Sequence, residues 1–355
     1  MENEIAKLQN TLQLDPSNFQ ARRELSILLA NNGFNEEALS NLQYLTKYFP
    51  EDAEIQYNIG ILYEKLKDFE SARNAYENAI SISPQDDFYY NLGEVLVSLK
   101  EWDKAIDAFK IVLKNDPKDG NCYFNLGLCY FNKEEINLAT DNFQKAIELN
   151  PQDIFAHFYL GNIYQNSGLT NFALESYKKV LNISPDYSWA YFNMAAIAYK
   201  NENLEEAREY LHKTIEFNNN DIEAYKLLTK IYVKEQNYED IISLLETRLE
   251  KEENGDLYYI LARVYKYINK FEEYLENLEN ALKNKLTLTY SQDIIKQEIK
   301  YIEVKLHGVF ETTEENYIQE YESDDLSEEE DIFEDNFDED FEEDNLLDEN
   351  EDEEF

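Results

Sequence analysis

Residues 154–164 read Ile154-Phe155-Ala156-His157-Phe158-Tyr159-Leu160-Gly161-Asn162-Ile163-Tyr164, and Ala173, Tyr177 and Pro185 follow at wider intervals. At helical spacing His157, Leu160, Gly161 and Tyr164 share one face. Pro185 lacks a backbone donor and restricts Ser184 before it, so it marks where a second helix must stop. This stretch therefore predicts two helices and a break.

The same arrangement recurs along the chain. All six prolines, Pro16, Pro50, Pro84, Pro117, Pro151 and Pro185, stand in one register, spaced 34, 34, 33, 34 and 34 residues apart. A period near 34 predicts stacked helical hairpins. Each unit can be numbered so that its proline is position 32. Position 8 is then small: Ser26, Gly60, Gly93, Gly127, Gly161 and Ala195. Position 20 is alanine six times: Ala38, Ala72, Ala105, Ala139, Ala173 and Ala207. Position 24 is bulky: Leu42, Tyr76, Phe109, Phe143, Tyr177 and Leu211. Two antiparallel helices are expected to approach at the small positions 8 and 20, with large residues at 7, 11 and 24 filling the gaps.

Six such units in register resemble the tetratricopeptide repeat family. The resemblance runs from Phe19 to about Leu288 and implies an all-α, right-handed solenoid of about eight helical hairpins. Two units depart from the pattern: Ile241 and Tyr274 replace the alanine, and neither unit keeps the proline. Looser or rotated packing is expected there. Residues 1–18 read as an N-terminal capping half-repeat and residues 19–288 as the repeats. Residues 289–308 read as a C-terminal capping helix, opened by Ser291 and carrying the stripe Ile295, Ile299, Ile302 and Leu306. Such a cap shields the apolar face of a last repeat.

Residues 309–355 read as a disordered acidic tail. Of the 75 acidic residues in the chain, 25 lie from Glu311 onward, where no Lys or Arg occurs; the first 310 residues keep 50 acidic and 32 basic residues. Self-repulsion of that density opposes folding. Phe333, Phe337 and Phe341 fall four apart, so they could anchor a helix once a basic partner neutralises the charge. The formal net charge of −43 argues against nucleic acid and anionic membrane as partners.

The resemblance also implies which residues face a concave groove: positions 2, 5, 6, 9, 12 and 13 of each first helix. Position 5 carries rings, Tyr57, Tyr90, Phe124, Phe158 and Phe192, and position 6 carries amides, Asn58, Asn91, Asn125 and Asn193; Asn162 lies on the same helix face. A side-chain amide can donate to and accept from the backbone of an extended peptide, and a ring adds apolar area at small entropy cost. The same amides could equally hydrogen-bond within the array. A basic patch, Lys226, Lys230, Lys234, Arg263 and Lys266, follows later, and could receive an acidic partner or form a solvated face. Position 2 is never basic, so clamping of a chaperone C-terminal carboxylate is not expected.

Nothing in the sequence announces catalysis. His157, His212 and His307 have no nucleophile placed beside them, and phosphate-loop, CxxC and nucleophile-elbow motifs are missing. No cofactor and no metal are expected. Cys122 and Cys129 read as reduced core thiols, seven residues apart on one helix and too distant for a bridge. With no secretory leader at Met1, a cytoplasmic location is expected. The function expected is a non-catalytic adaptor or scaffold that binds an extended peptide of a partner protein in the groove. The alternative is a chaperone-like or regulatory protein whose acidic tail captures basic clients.

Overall fold

The computed structural model describes residues 2–307, in which there are eighteen α-helices, one short 3-10 turn and no strand. It divides after Pro185 into two compact units.

In the first unit α1 (Glu2–Leu14) precedes five hairpins: α2 (Phe19–Ala30) with α3 (Asn35–Thr46), α4 (Ala53–Lys65) with α5 (Phe69–Ile82), α6 (Asp86–Ser98) with α7 (Trp102–Asn115), α8 (Gly120–Asn132) with α9 (Ile136–Leu149), and α10 (Ile154–Asn166) with α11 (Thr170–Ile183). The second unit holds α12 (Ser188–Lys200) with α13 (Leu204–Phe217), α14 (Ile222–Lys234) with α15 (Tyr238–Leu249), and α16 (Gly255–Tyr267) with α17 (Phe271–Lys283), then α18 (Gln292–His307). Ile5, Leu8 and Leu12 of α1 pack against the core of the first repeats.

Local chemistry fixes both ends of the first helices. Asn18, Asp52, Asp119, Asp153, Asp221 and Asn254 each accept a bond from the backbone N–H three residues on, satisfying one of the orphan donors of the helix start. Helix α6 starts two residues after its proline instead of three. The residue lost there is the cap, and Gln85 makes no capping bond. This accounts for the single spacing of 33.

At the other end, all eight repeats place position 15 in the left-handed region. Gly33 and Gly168 adopt it with φ of 80° and 72°, and Lys67, Lys100, Glu134, Glu202, Gln236 and Asn269 adopt it at 57–59°. The following N–H returns to a carbonyl five residues back, as in Asp68 to Tyr63 (2.9 Å) and Glu135 to Tyr130 (2.9 Å). That bond closes a Schellman turn and aims the second helix back along the first.

Within four hairpins the nearest neighbour of the glycine at position 8 is the ring at position 24. A Cβ on Gly60 would lie 2.5 Å from the Tyr76 ring, on Gly93 2.6 Å from Phe109, on Gly127 2.6 Å from Phe143, and on Gly161 2.4 Å from Tyr177. Where position 8 is larger, position 24 is smaller: Ser26 with Leu42, Ala195 with Leu211, Thr229 with Leu245, Ala262 with Leu278. All eight position-24 side chains are buried.

Three repeats, α12–α13, α14–α15 and α16–α17, lack the proline, and one arginine holds the loops that follow the first two of them. Arg248 is buried, and its guanidinium donates to the Asn219 carbonyl (3.0 Å), Asn220 Oδ1 (2.6 Å) and the Glu252 carbonyl (3.0 Å). Helices α14 and α15, where Ile241 replaces the alanine, stand less tightly together than other hairpins. The expectation fails for α16 and α17, which pack as closely as the rest: Tyr274 points its hydroxyl to Glu298 of α18 (2.8 Å). Helix α18 buries Ile295 and Ile302 and rests Ile299 and Leu306 on the core of its unit.

Two stability outcomes follow from this packing. Gly161→Ala is expected to cost about 1–3 kcal/mol by displacing the Tyr177 ring, and adding Tyr177→Leu is expected to recover much of that loss, as the Ala195–Leu211 pair does naturally. Simple additivity in urea melts would refute the coupling. Glu134→Gly should stabilise by about 0.5–1 kcal/mol by removing left-handed strain; a loss in the same melts would show that the turn tolerates a side chain without cost.

Candidate functional site: the inner face of the first helices

Successive first helices approach each other, α6 against α8 and α14 against α16, more closely than successive second helices do. Within each unit their shared face is therefore the inside of the curve. Its side chains set what it can hold.

In the first unit Tyr57, Tyr90, Phe124 and Phe158 are half-buried along this face, with Phe131 and Phe155 beside them. Each ring leans on the position-24 ring of its own repeat: Tyr57 on Tyr76 (5.7 Å between centroids), Tyr90 on Phe109 (5.8 Å), Phe124 on Phe143 (5.7 Å) and Phe158 on Tyr177 (5.9 Å). The rings are thus held in place before any ligand arrives.

The amides lace repeats together. Asn91 Nδ2 donates to the Tyr57 hydroxyl (3.2 Å) and the Tyr76 hydroxyl (3.5 Å), and Asn125 Nδ2 donates to the Tyr90 hydroxyl (3.3 Å). Asn58, at the exposed end, donates to the Glu54 carbonyl of its own helix (2.7 Å). Bonding within the array is therefore what these amide donors do in this structure. Asn162 is not presented to a ligand: it is 5% exposed and takes the Tyr177 hydroxyl at 2.7 Å.

Two carboxylates stand among these groups, at positions 9 and 12. Glu64 accepts the Tyr76 hydroxyl at 2.8 Å, and burial raises its pKa above the ordinary carboxylate range. Burial, opposed by the Tyr90 hydroxyl and with Glu64 adding repulsion, pushes Glu94 up to about 7. Positions 9 and 12 were part of the inward face read from the sequence, but only charge and burial together single these two out.

The second unit presents a different inner face. Phe192 is 2% exposed and belongs to the core, while Asn193 is half-buried. The basic residues do not form one open patch. Arg263, 8% exposed, is paired with Glu298 of α18, itself 3% exposed, at 3.0 Å. Lys226 pairs with Glu223 (2.6 Å) and stands 5.2 Å from the Tyr290 ring centroid. Tyr290 in turn packs on Tyr259 (4.4 Å). Lys230 is buried, Lys266 half-buried, and Lys234 is exposed with its ammonium 6.0 Å from the Tyr199 ring.

Phe333, Phe337 and Phe341 lie outside the described residues. Cys122 and Cys129 are buried free thiols; burial raises both, Cys129 to about 12. His157 meets the Pro151 carbonyl (3.3 Å) and His212 the Tyr232 hydroxyl (3.1 Å). Among the described residues no group of His, Cys, Asp and Glu could hold a metal ion, and no helix is long and apolar enough to cross a membrane.

Sequence models of the tetratricopeptide repeat match residues 23–87, 87–119, 120–153, 142–172 and 170–231 without a gap. The chain belongs to the tetratricopeptide repeat family. Repeats of this family act as protein-interaction scaffolds. Similar solved structures include MamA from Desulfovibrio magneticus RS-1, 26% identical over 48% of this chain and 97% of that one, with a TM-score of 0.46. Another is YrrB, described as a tetratricopeptide repeat protein with an unusual peptide-binding site, 27% identical over 52% of this chain and 95% of its own, TM-score 0.43. A repeat protein from Parabacteroides merdae is 16% identical over 70% of this chain and 97% of its own, TM-score 0.49. Comparison with curated proteins yields no match.

The raised Glu94 fixes the sign of a pH effect. Its folded state holds the proton up to about 7, whereas an ordinary glutamate releases it near 4.5, so its favourable contribution is present at low pH and is lost as pH rises through that window. Glu94→Gln is expected to stabilise the protein by about 1–2 kcal/mol at pH 8, with little difference near pH 4.5. Urea melts at the two pH values read this directly; equal effects at both would refute it.

Proposed function

We propose that the protein is a non-catalytic adaptor whose first unit holds an extended peptide of a partner protein along α4, α6, α8 and α10. The observation carrying this is the row of half-buried rings at position 5, each seated on a buried ring, with amides beside Tyr57, Tyr90 and Phe124. Pre-positioned rings lose little entropy on binding. The amide oxygens and second N–H groups could pair with a peptide backbone. Net charge of −43 argues for protein partners over nucleic acid or anionic membrane, and two buried thiols suit a cytoplasmic setting.

A second reading rests on composition: the acidic stretch from Glu311 onward, with no cation, could capture basic clients. The two modes differ in salt response, because long-range attraction between exposed charges is screened at moderate ionic strength.

The test uses peptides selected from a displayed random library on the intact chain, then measured by fluorescence anisotropy at low and moderate salt. Tyr90→Ser with Phe124→Ser is expected to weaken them by about tenfold or more, while Lys110→Ala on a second helix leaves them unchanged. Binding indifferent to the two rings, and abolished by moderate salt, would move the function to the acidic stretch.

A further inference from the structure

We propose that the inner face of α4 and α6 accepts a basic side chain, Lys or Arg, of the bound peptide at Glu64 and Glu94, an inference that rests on the groove reading above. The partner class is therefore an extended peptide with a cation among apolar or polar neighbours.

The argument begins with what the fold itself requires. A tyrosine at position 24 needs an acceptor on the first helix, because its buried hydroxyl must be satisfied. Tyr76 finds Glu64 at 2.8 Å, and Tyr177 finds Asn162 at 2.7 Å and Gln165 at 2.9 Å. Phenylalanine at position 24 needs none, and position 12 is then apolar: Val97 with Phe109, Phe131 with Phe143. Asn162 and Gln165 show that neutral amides serve the hydroxyl in place of a carboxylate. The charge of Glu64 is thus in excess of its structural task.

Glu94 is in excess more plainly. Other repeats of the first unit place Ile27, Ile61, Leu128 and Asn162 at position 9, none of them ionisable. Glu94 is half-buried, with the Tyr90 hydroxyl, the Asn125 amide, Glu64 and Asp119 as its polar surroundings. Neither carboxylate forms an ion pair among the described residues, and Lys67, beyond Glu64 at the turn, only partly offsets the burial of Glu64.

Charge at the inner positions of α4 and α6 is one-sided: Glu54, Glu64, Asp87 and Glu94 against Lys65 at the exposed end of α4. Two repelling, partly desolvated carboxylates raise the free energy of the empty groove. A guanidinium or ammonium placed between them removes that penalty and gains charge-assisted hydrogen bonds. The rings Tyr57 and Tyr90 beside them add a face on which a cation can rest. An acidic peptide would meet the opposite: added repulsion without a donor to offset it.

The test compares two pools of short acetylated peptides, identical except that the central residue is arginine in one and citrulline in the other. Citrulline keeps the shape and loses the charge. Each pool is passed over the immobilised intact chain and the retained fraction quantified by mass spectrometry. Arginine is expected to be retained about fivefold to tenfold over citrulline, and the preference should vanish in Glu64→Gln/Glu94→Gln, a nearly isosteric variant that keeps the Tyr76 acceptor. Retention of both pools without preference, lost in Tyr90→Ser/Phe124→Ser, overturns this inference and leaves the groove reading standing. Retention of neither pool overturns both. An arginine preference that survives in the double glutamine variant places the cation elsewhere and also overturns the inference.

Discussion

The contact between the ring at position 24 and the bare backbone at position 8 sets the geometry of four of the eight hairpins. A glycine at 60, 93, 127 or 161 lets an aromatic ring lie where a Cβ would otherwise stand, at 2.4–2.6 Å from the ring atoms. Close packing at that point brings the two helices together and leaves no room for adjustment. The ring then becomes a platform. It supports the position-5 ring of the same repeat, and where it is a tyrosine its hydroxyl calls for a polar partner on the first helix. The chemistry of the inner face is therefore partly a consequence of how the hairpin closes.

Much of this was legible from the chain. Proline spacing and the small residues at positions 8 and 20 mark the hairpins, and the stripe on α18 is plain in Ile295, Ile299, Ile302 and Leu306. Three features were not. The left-handed turn at position 15 is occupied mostly by Lys, Glu and Gln, which carry no glycine signal; only the eightfold repetition of φ reveals it. The pairing of position 8 with 24 needed distances, although reciprocal sizes at the two positions hinted at it. The duties of individual groove residues depended on three-dimensional neighbours: Asn162 and Phe192 have the right residue types at inward-facing positions yet are spent inside the array.

The two units treat charge in opposite ways. In the second, the cations that a sequence reading gathers into a patch are partly neutralised from within. Glu298 of the closing helix pairs with Arg263 and accepts the Tyr274 hydroxyl, and Glu223 pairs with Lys226. A buried pair of this kind is costly to break, because removing either partner strands the other in a poorly hydrated place. It ties α18 to α16 and α17, and it withdraws Arg263 from any ligand.

In the first unit the imbalance is left open. Glu64 and Glu94 have hydroxyls and amides for company, groups that soften a negative charge without cancelling it. An internal cation at position 9, as Arg263 supplies in the second unit, would have settled the electrostatics and closed the face to basic ligands. Position 9 of α6 carries an acid instead. The same repeat frame therefore yields a self-satisfied inner face in one unit and a face with unspent charge in the other, and it is unspent charge beside pre-positioned rings that can distinguish one peptide from another.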